Sequence, residues 1–399
     1  MDPTNIINEI ISGLTIALVL IPESIAFSLL LGFPPSTGLI STIVMSSVTS
    51  LFGGCPTLIS GATGAIATSL LGVKTIYGTQ YVFLTVIIGG LIQLLFGISG
   101  LYKRFLNISQ PLMTGFLIAL GFLIAKSLIK NFKYPNSEEW FKDSDNYKLT
   151  GTLLFSLIGL FIAVFGKFMY NIKSLKINIP GALSAIIILS ILSYILPIKQ
   201  TIESVGERGG VKINNFAFNI PNVELTTENI LKVLPFAVAM AMTGLTESMF
   251  MVDNASKQLK IITSPLIETL AQGVGNIISG FCGGFGGCVF VGLSKYNLEN
   301  GSTTRVSSRA TSLFFILLTL MFSSTINKIP MPAITGIMIM IAFKTATANY
   351  DYLIKNFRSE WLIILLTSFI GIYSESLALA VIIGFIVQQI IKHIKITPL

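Results

Sequence analysis

Residues 52–60 read FGGCPTLIS and residues 285–294 read FGGCVFVGLS, so the tetrapeptide Phe-Gly-Gly-Cys occurs twice. Each copy is followed by a short β-prone run and then by a short, glycine-interrupted apolar stretch. A single Gly-rich segment commonly serves only to let helices pack closely. Two matched copies at equivalent positions instead favour an internal repeat, in which two broken helices meet at a shared site.

The composition predicts an integral membrane protein. Of 399 residues, 52% are hydrophobic and 11% are charged, whereas an average soluble domain carries about 25% charged residues. The mean hydropathy is +0.80. The net charge of +8 is spread over short loops and is not gathered in one arm or stripe, so the expected partner is a lipid bilayer and not nucleic acid. Three cysteines, Cys55, Cys282 and Cys288, are too few and too apolar in context for a disulfide framework or a zinc site.

The apolar runs predict an all-α polytopic protein with fourteen transmembrane segments. Seven segments separate the two Phe-Gly-Gly-Cys copies, so the second copy is inverted in the membrane. The first repeat is expected over 1–199 and the second over 200–399. Spans 3 and 10 are short and glycine-interrupted, which is typical of half-helices. The predicted segments are 10–31, 36–53, 57–73, 80–100, 108–129, 150–171 and 180–196, then 229–252, 262–281, 288–298, 308–327, 331–343, 359–373 and 375–392.

Basic residues predict the orientation in the membrane. With an even number of spans both termini share one side, and Lys and Arg are more numerous in the loops on that side, among them Arg305, Lys344 and Arg358. The positive-inside rule therefore places both termini in the cytoplasm, and the expected location is the plasma (inner) membrane. The first eleven residues lack the basic region of a cleavable signal peptide.

Two half-helices that begin inside the bilayer would form an anion site without a buried Lys or Arg. Each helix start presents unpaired N–H groups and a partial positive charge of roughly +0.5. Two such ends facing each other attract a small anion, and the number and direction of the N–H groups would set its selectivity.

Residues 20–28 (LIPESIAFS) and 32–39 (GFPPSTGL) resemble the signature of the sulfate-permease (SulP) family of anion transporters. That family also includes cyanobacterial bicarbonate transporters and animal anion exchangers. Three further stretches agree, namely 52–64 (FGGCPTLISGATG), 268–284 (ETLAQGVGNIISGFCGG) and Asn297 before Gly301. The resemblance runs along nearly the whole chain.

The resemblance implies a core domain of spans 1–4 and 8–11 and a gate domain of spans 5–7 and 12–14. It also implies an anion site between the third and tenth helix ends, and a cation-coupling role for Glu247, with sodium as the bound metal or a proton in its place. A homodimer through the membrane domain is a further expectation. Carried over by position, the substrate-binding residues are Glu23, Phe27, Thr63, Gly64, Val289, Phe290 and Val291.

The sequence departs from the family pattern in four places. Glu23 stands where many members have Gln, and Leu293 stands where many exchangers have Arg. Met251 replaces a hydroxyl residue that helps to hold sodium, which weakens the expectation of a sodium site. The cytoplasmic STAS domain usual in the family is expected to be missing, because the chain ends soon after the last span.

Two acidic residues are expected at bilayer depth. A carboxylate there costs about 2.5–3.5 kcal/mol on insertion scales, so a coupling ion or a proton at Glu247 is expected to offset it. Glu23 follows Pro22, and Pro22 is expected to break the first span and leave its middle unwound. Two acids beside one anion would repel it unless one is neutral or cation-bound. Glu268 and Gln272 are expected to hydrogen-bond between helices.

The function that these observations favour is secondary active, elevator-type transport of bicarbonate or sulfate, coupled to sodium or protons. Alternatives are an uncoupled anion channel or exchanger, and a nucleobase–cation symporter of the same architecture. A membrane enzyme is disfavoured, because no GxSxG or HExxH motif and no metal-ligand cluster occurs in the sequence. No cofactor is expected besides the coupling ion.

Overall fold

The computed structural model describes a mostly helical chain. The described residues are 3–106, 108–134, 139–142, 144–145, 147–169, 171–172, 177–178, 181–196, 201–211, 218, 220–260 and 263–396. The first half contains α1 (Pro3–Leu30), α2 (Pro35–Phe52), β1 (Ser60–Gly61), α3 (Gly64–Tyr77), α4 (Thr79–Ile98), α5 (Tyr102–Phe105), α6 (Gln110–Ser127), a 3-10 helix (Leu128–Phe132), α7 (Lys148–Met169), β2 (Asn171–Ile172), β3 (Ile177–Asn178) and α8 (Gly181–Ile195).

The second half repeats this order of elements near its start. It contains α9 (Thr227–Leu259), α10 (Pro265–Phe281), β4 (Cys288–Val289), α11 (Val291–Glu299), α12 (Arg305–Met321), α13 (Ser323–Ile326), α14 (Met331–Ala346), α15 (Tyr350–Ser374) and α16 (Leu377–Ile396). Every predicted segment overlaps one of these helices. The predicted third span starts later than expected, because 57–63 is extended or irregular and the helix begins at Gly64.

The outer surface of the helices suits a bilayer. Seven of the helices in the described ranges are long and apolar enough to cross a membrane, and three more are apolar but shorter. Large apolar side chains such as Ile98, Phe161 and Phe369 are well exposed on this surface. Water would penalise such a surface, whereas lipid tails solvate it. The chain is therefore an integral membrane protein, and the count of fourteen spans and the inverted repeat stay predictions.

The helices pack in two groups. In the first group, α1 packs on α2 and α12, α10 packs on α2 and α4, and α9 packs on α3 and α4. In the second group, α14 packs on α6 and α7, α15 packs on α6 and α16, and α7 packs on α8. The two groups meet where α1 contacts α8 and α14, where α3 contacts α6, and where α16 contacts α3 and α9.

Pro22 does not break the first helix. The helix α1 runs without interruption from Pro3 to Leu30 with Pro22 inside it, so the predicted unwound middle is wrong. A proline removes one backbone hydrogen bond, and in a membrane helix such a loss is tolerated when neighbouring groups satisfy the freed backbone. The surrounding side chains Ile16, Leu20 and Ile25 are fully buried, and this packing holds the helix together across the missing bond.

Candidate functional site

Two short extended segments, β1 and β4, lie against each other in the middle of the first helix group, and this pair is called the crossing below. Strand β1 pairs antiparallel with β4, with Ser60 opposite Val289 and Gly61 opposite Cys288. The pairing continues for one more bond, because the amide N–H of Phe290 donates to the carbonyl of Ile59 at 2.8 Å. Extended backbone is tolerated inside a membrane protein only where its polar groups find partners. Here the segment that follows the first Phe-Gly-Gly-Cys copy pairs with Cys288 of the second copy and with the two residues after it.

The crossing leaves no room for a side chain at Gly287. A Cβ atom placed there would lie 2.0 Å from the carbonyl oxygen of Gly61 and 3.0 Å from Cγ of Met45. The first of these neighbours is backbone and cannot swing aside. The second copy of the tetrapeptide therefore needs glycine at this position so that the two strands can approach closely.

One face of α10 holds both tetrapeptide copies. Glu268 accepts hydrogen bonds from the backbone N–H groups of Gly54, at 2.8 Å, and Cys55, at 3.3 Å. Two helical turns later, Asn276 accepts from the N–H of Gly287 at 2.8 Å and donates to its carbonyl at 3.1 Å.

Between them on α10, Gln272 donates to the hydroxyl of Ser60 at 2.9 Å and to Glu268 at 2.9 Å. The prediction that Glu268 and Gln272 hydrogen-bond between helices is wrong in its partner, because their bonds outside α10 go to the non-helical segment 54–60. Sequence reasoning did not single out Asn276. Its spacing of eight residues from Glu268 was the available signal, since residues at i, i+4 and i+8 share one helix face.

The crossing brings the starts of α3 and α11 together. Thr63 occupies the N-cap position of α3, and its hydroxyl accepts from the N–H of Ile66 at 3.4 Å. The same hydroxyl lies 3.0 Å from the sulfur of Cys288. Phe290 occupies the N-cap position of α11, and its side chain has no acceptor atom. The first N–H groups of α11 are therefore not capped by that residue, and both helix starts carry partial positive charge.

A cavity of about 350 Å³ lies beside these two helix starts. Its wall on the far side comes from the second helix group, through α6, α8 and α14, and is apolar except for Lys344 and Thr345 of α14. The rings of Phe27 and Phe290 stand on the near side with their centroids 6.4 Å apart. Of the predicted site residues, those that line this cavity are Glu23, Phe27, Thr63, Gly64, Glu247, Phe290 and Val291.

Val289 is the predicted site residue placed differently. It lies in β4 opposite Ser60, and its side chain is fully buried. The cavity wall continues instead at Val291, Gly292 and Leu293, in the first turn of α11. In an extended strand successive side chains point to opposite faces, which explains why Phe290 reaches the cavity and Val289 does not.

Both predicted carboxyl groups are buried at the cavity. Glu23 on α1 is 7% exposed and Glu247 on α9 is 4% exposed. The thiol of Cys288 donates a hydrogen bond to Oε2 of Glu247 at 3.0 Å. A chain of three side chains therefore runs from Thr63 through Cys288 to Glu247, and it links one helix start to the buried acid.

The side chain that hydrogen-bonds to Glu247 is not of the type that a sodium ion prefers. Sodium is a hard cation that prefers oxygen ligands, and the side chain bonded to Glu247 is a soft thiol. Met251, one helical turn further along α9, is fully buried and offers a thioether. Within the described ranges there is no group of three or more His, Cys, Asp or Glu side chains that could hold a metal ion.

Lys344 is a cavity residue that the sequence analysis assigned to a loop. It lies in the last turn of α14, its side chain is exposed, and it lines the cavity together with Glu23 and Leu293. The helical spacing of Met340, Lys344 and Ala348, which all line the cavity, was the signal that could have identified it. The second helix group thus supplies a positively charged side chain to the cavity. The family position for an arginine on α11 carries the apolar Leu293 instead.

Known proteins resemble this chain over most of its length. A model of the Sulfate permease family matches residues 6–367. The Bacillus subtilis (strain 168) protein YbaR, assigned by name to sulfate transport, is 28% identical over 396 residues, which is 99% of this chain and 78% of that protein. The bicarbonate transporter BicA of Synechocystis sp. (strain ATCC 27184 / PCC 6803 / Kazusa) is 24% identical over 365 residues, which is 87% of this chain. This chain covers 62% of that protein, which is less than two thirds of its length.

Solved structures share the fold. The transmembrane domain of a cyanobacterial BicA superposes with a TM-score of 0.76 at 20% identity, covering 94% of this chain and 98% of that domain. The structure of SLC26A9 superposes with a TM-score of 0.77 at 16% identity, covering 99% of this chain and 66% of that one. The described helices and the crossing therefore form a known membrane-transporter fold.

Proposed function

Because this chain belongs to the sulfate permease family, we propose that it is a secondary active transporter of a small inorganic anion, bicarbonate or sulfate. The observation that carries the proposal is the crossing of β1 and β4, which sets two helix starts beside one cavity. Helix N-termini attract anions through their N–H groups and their dipoles. The sulfate and bicarbonate transporters among the relatives support the choice of anion.

The two helix groups would act as the core and the gate of an elevator. The core holds α1–α4 and α9–α12 with both helix starts, and the gate holds α6–α8 and α14–α16. The anion would stay on the core while the core slides against the gate. Lys344 belongs to the gate and lies on the side of the membrane that the charge pattern assigns to the cytoplasm. The chain would sit in the plasma membrane.

Lys344 would strengthen anion binding on one side of the membrane only. The anion and the helix starts would move with the core, whereas Lys344 would stay on the gate. The attraction between the anion and Lys344 would therefore be present in the state seen here and weaker after the core has moved. Such a difference makes the affinity for the anion unequal at the two membrane surfaces.

The transport proposal is tested with purified protein in liposomes. Uptake of labelled sulfate is measured with and without an inward proton gradient and an inward sodium gradient, and with the membrane potential held at zero. Bicarbonate is tested by isotope exchange at one fixed pH, with protein-free liposomes as the control for passage of CO₂. We expect saturable uptake of at least one anion, stimulated by the proton gradient.

The outcomes of this assay separate the alternatives. Absence of saturable transport of both anions under every gradient contradicts the proposal. Uptake that follows only the anion gradient indicates an uncoupled channel or exchanger. Competition by uracil indicates a nucleobase symporter of the same architecture.

Replacing Lys344 tests its contribution to binding. Lys344→Gln should raise the KM for the anion by about twofold to fivefold, as expected for one exposed charge pair, and leave the maximal rate nearly unchanged. Lys344→Arg should retain the wild-type KM, and added salt should reduce the difference between wild type and Lys344→Gln. The matched control is Lys257→Gln, because Lys257 pairs with Asp253 and is exposed elsewhere on the core. A KM for Lys344→Gln equal to that of the control would remove Lys344 from the site.

A further inference from the structure

We propose that the Thr63–Cys288–Glu247 chain is a reversible hydrogen-bond relay through which a proton on Glu247 switches on anion binding at Thr63. The proposal rests on the proposed anion transport and adds to it the identity of the coupling ion and the residue that transmits the coupling. Its basis is geometric: Cys288 lies 3.0 Å from the hydroxyl of Thr63 and 3.0 Å from Oε2 of Glu247.

The direction of the relay follows from the number of protons available. A thiol has one hydrogen to donate and a hydroxyl has one. With Glu247 ionised, the thiol of Cys288 donates to the carboxylate. The sulfur is then only an acceptor towards Thr63, so the Thr63 hydroxyl must donate to the sulfur for the 3.0 Å contact to be favourable. In that state Thr63 turns its remaining lone pair, and no hydrogen, towards the cavity.

A proton on Glu247 reverses every bond in the chain. The protonated carboxyl now donates to the sulfur of Cys288, and the thiol hydrogen turns to the oxygen of Thr63. The hydroxyl hydrogen of Thr63 is released from the sulfur and points into the cavity, where it can donate to an anion. The hydroxyl oxygen keeps its weaker bond from the N–H of Ile66 in both states. One proton is taken up, it forms one O–H bond on Glu247, and every other hydrogen stays on the atom that carried it.

The position of Thr63 makes this reversal relevant to the anion. Thr63 stands at the start of α3, in the cavity wall between the two helix starts. An anion held by those helix starts would meet a lone pair when Glu247 is charged and a donor when Glu247 is neutral. Protonation thus removes a repulsion and adds a hydrogen bond at the same time. The anion and the proton would therefore bind together, which is the requirement for symport.

Other titratable groups face Glu247 across the cavity without joining the relay. They are Glu23 from α1, Tyr296 from α11 and Lys344 from α14, all of which line the same cavity. Among the side chains that the structure describes, the other charged groups on elements packed against α9 do not line it; these are Lys74, Lys103, Arg104, Glu268, Lys295 and Glu299. Glu23 and Lys344 would modify the pH at which Glu247 takes up its proton. The relay alone determines whether protonation of Glu247 changes the direction of the Thr63 hydroxyl hydrogen bond.

Substitutions at Cys288 separate the relay from direct charge repulsion. Sulfate binding is measured by calorimetry at pH 6 and pH 8, and the ratio of the two dissociation constants is compared between variants. In Cys288→Ser the hydroxyl can donate and accept, so the ratio should stay near the wild-type value. In Cys288→Ala the hydroxyl of Thr63 is free at both pH values, so the ratio should shrink by about tenfold, the value of one hydrogen bond to an anion.

The shrinkage should arise from tighter binding at pH 8, which damage to the fold would not produce. The double variant Thr63→Val/Cys288→Ala should lose this gain relative to Thr63→Val, whereas a change in the protonation of Glu247 alone would keep it. Cys282→Ala is the matched control, because Cys282 lies at the end of α10, away from the cavity. Equal pH ratios in wild type and Cys288→Ala would overturn the relay while leaving anion transport intact. No binding of sulfate or bicarbonate to the wild type at either pH would overturn the proposed function instead.

Two further measurements keep the test decisive if Cys288→Ala is unstable. Thr63→Val removes the hydroxyl that donates to the anion, so sulfate binding by this variant at pH 6 should be about as weak as wild-type binding at pH 8. Infrared difference spectra between pH 6 and pH 8 should show a shift of the thiol S–H band in wild type, because the acceptor of Cys288 changes. A band that does not move with pH would contradict the reversal.

Discussion

Replacing Glu247 by Gln should abolish anion accumulation driven by a proton gradient while leaving anion exchange intact. With one proton per anion and the membrane potential held at zero, a gradient of one pH unit supports up to about tenfold accumulation, because tenfold corresponds to about 1.4 kcal/mol. The amide of Gln cannot release or bind a proton in this range. Its NH₂ group can donate to the sulfur of Cys288, so it should hold the relay in the anion-binding direction. The measurement is labelled sulfate uptake in liposomes with and without the pH gradient.

The control for this substitution is Asp253→Asn on the same helix. Asp253 pairs with Lys257 outside the cavity, so the same change of acid to amide should leave accumulation at the wild-type level. Sulfate–sulfate exchange by Glu247→Gln in the absence of any gradient shows that the variant is folded and still binds its anion. Accumulation by Glu247→Gln equal to that of wild type would show that Glu247 does not couple transport to protons.

Gly287→Ala should disrupt the crossing and with it both stability and transport. The new methyl group would overlap the carbonyl of Gly61, 2.0 Å away, and separating the strands would also strain the bonds between Asn276 and Gly287. Overpacking and lost hydrogen bonds together should cost about 3 kcal/mol or more. We expect a lower thermal midpoint of the purified protein. Uptake should fall below about a tenth of wild type, because a loss of about 1.4 kcal/mol of anion binding at the displaced helix starts already lowers the affinity tenfold.

Gly292→Ala is the matched control for stability. Gly292 lies in the first turn of α11, and a Cβ atom there meets open space within 4 Å. Alanine is the better helix former by about 1 kcal/mol, so the thermal midpoint of Gly292→Ala should not fall. A thermal midpoint of Gly287→Ala as high as that of Gly292→Ala would show that the strands do not need their close approach.

The sequence carried most of the information about the helices and about the crossing. Apolar runs of about 20 residues are strong signals, and each of them coincides with a helix. The repeated Phe-Gly-Gly-Cys indicated which two segments would meet. In the structure the hydroxyl oxygen of Thr63 lies 3.0 Å from the sulfur of Cys288. Local patterns suffice for these features because the residues concerned are close along the chain or visibly duplicated.

Features that depend on packing between distant elements could not be predicted. Pro22 predicted a break in the first span, but buried neighbours keep α1 continuous. Lys344 carries the same charge as a loop lysine, and only the packing of α14 against α1 places it at the cavity. The bond between Cys288 and Glu247 joins residues 41 positions apart, and nothing in the linear order indicates it.

The pairing of Ser60 with Val289 also constrains how the chain is assembled. The two halves of the ladder are separated by more than 200 residues, and neither half has a backbone partner of its own. At about 5–20 residues per second, a ribosome needs roughly 10–50 s to synthesise the intervening chain. During that interval β1 would have no β4 to pair with. Maturation of this protein should therefore be late and post-insertional, and a truncation before residue 288 should be recognised as unfinished by membrane quality control.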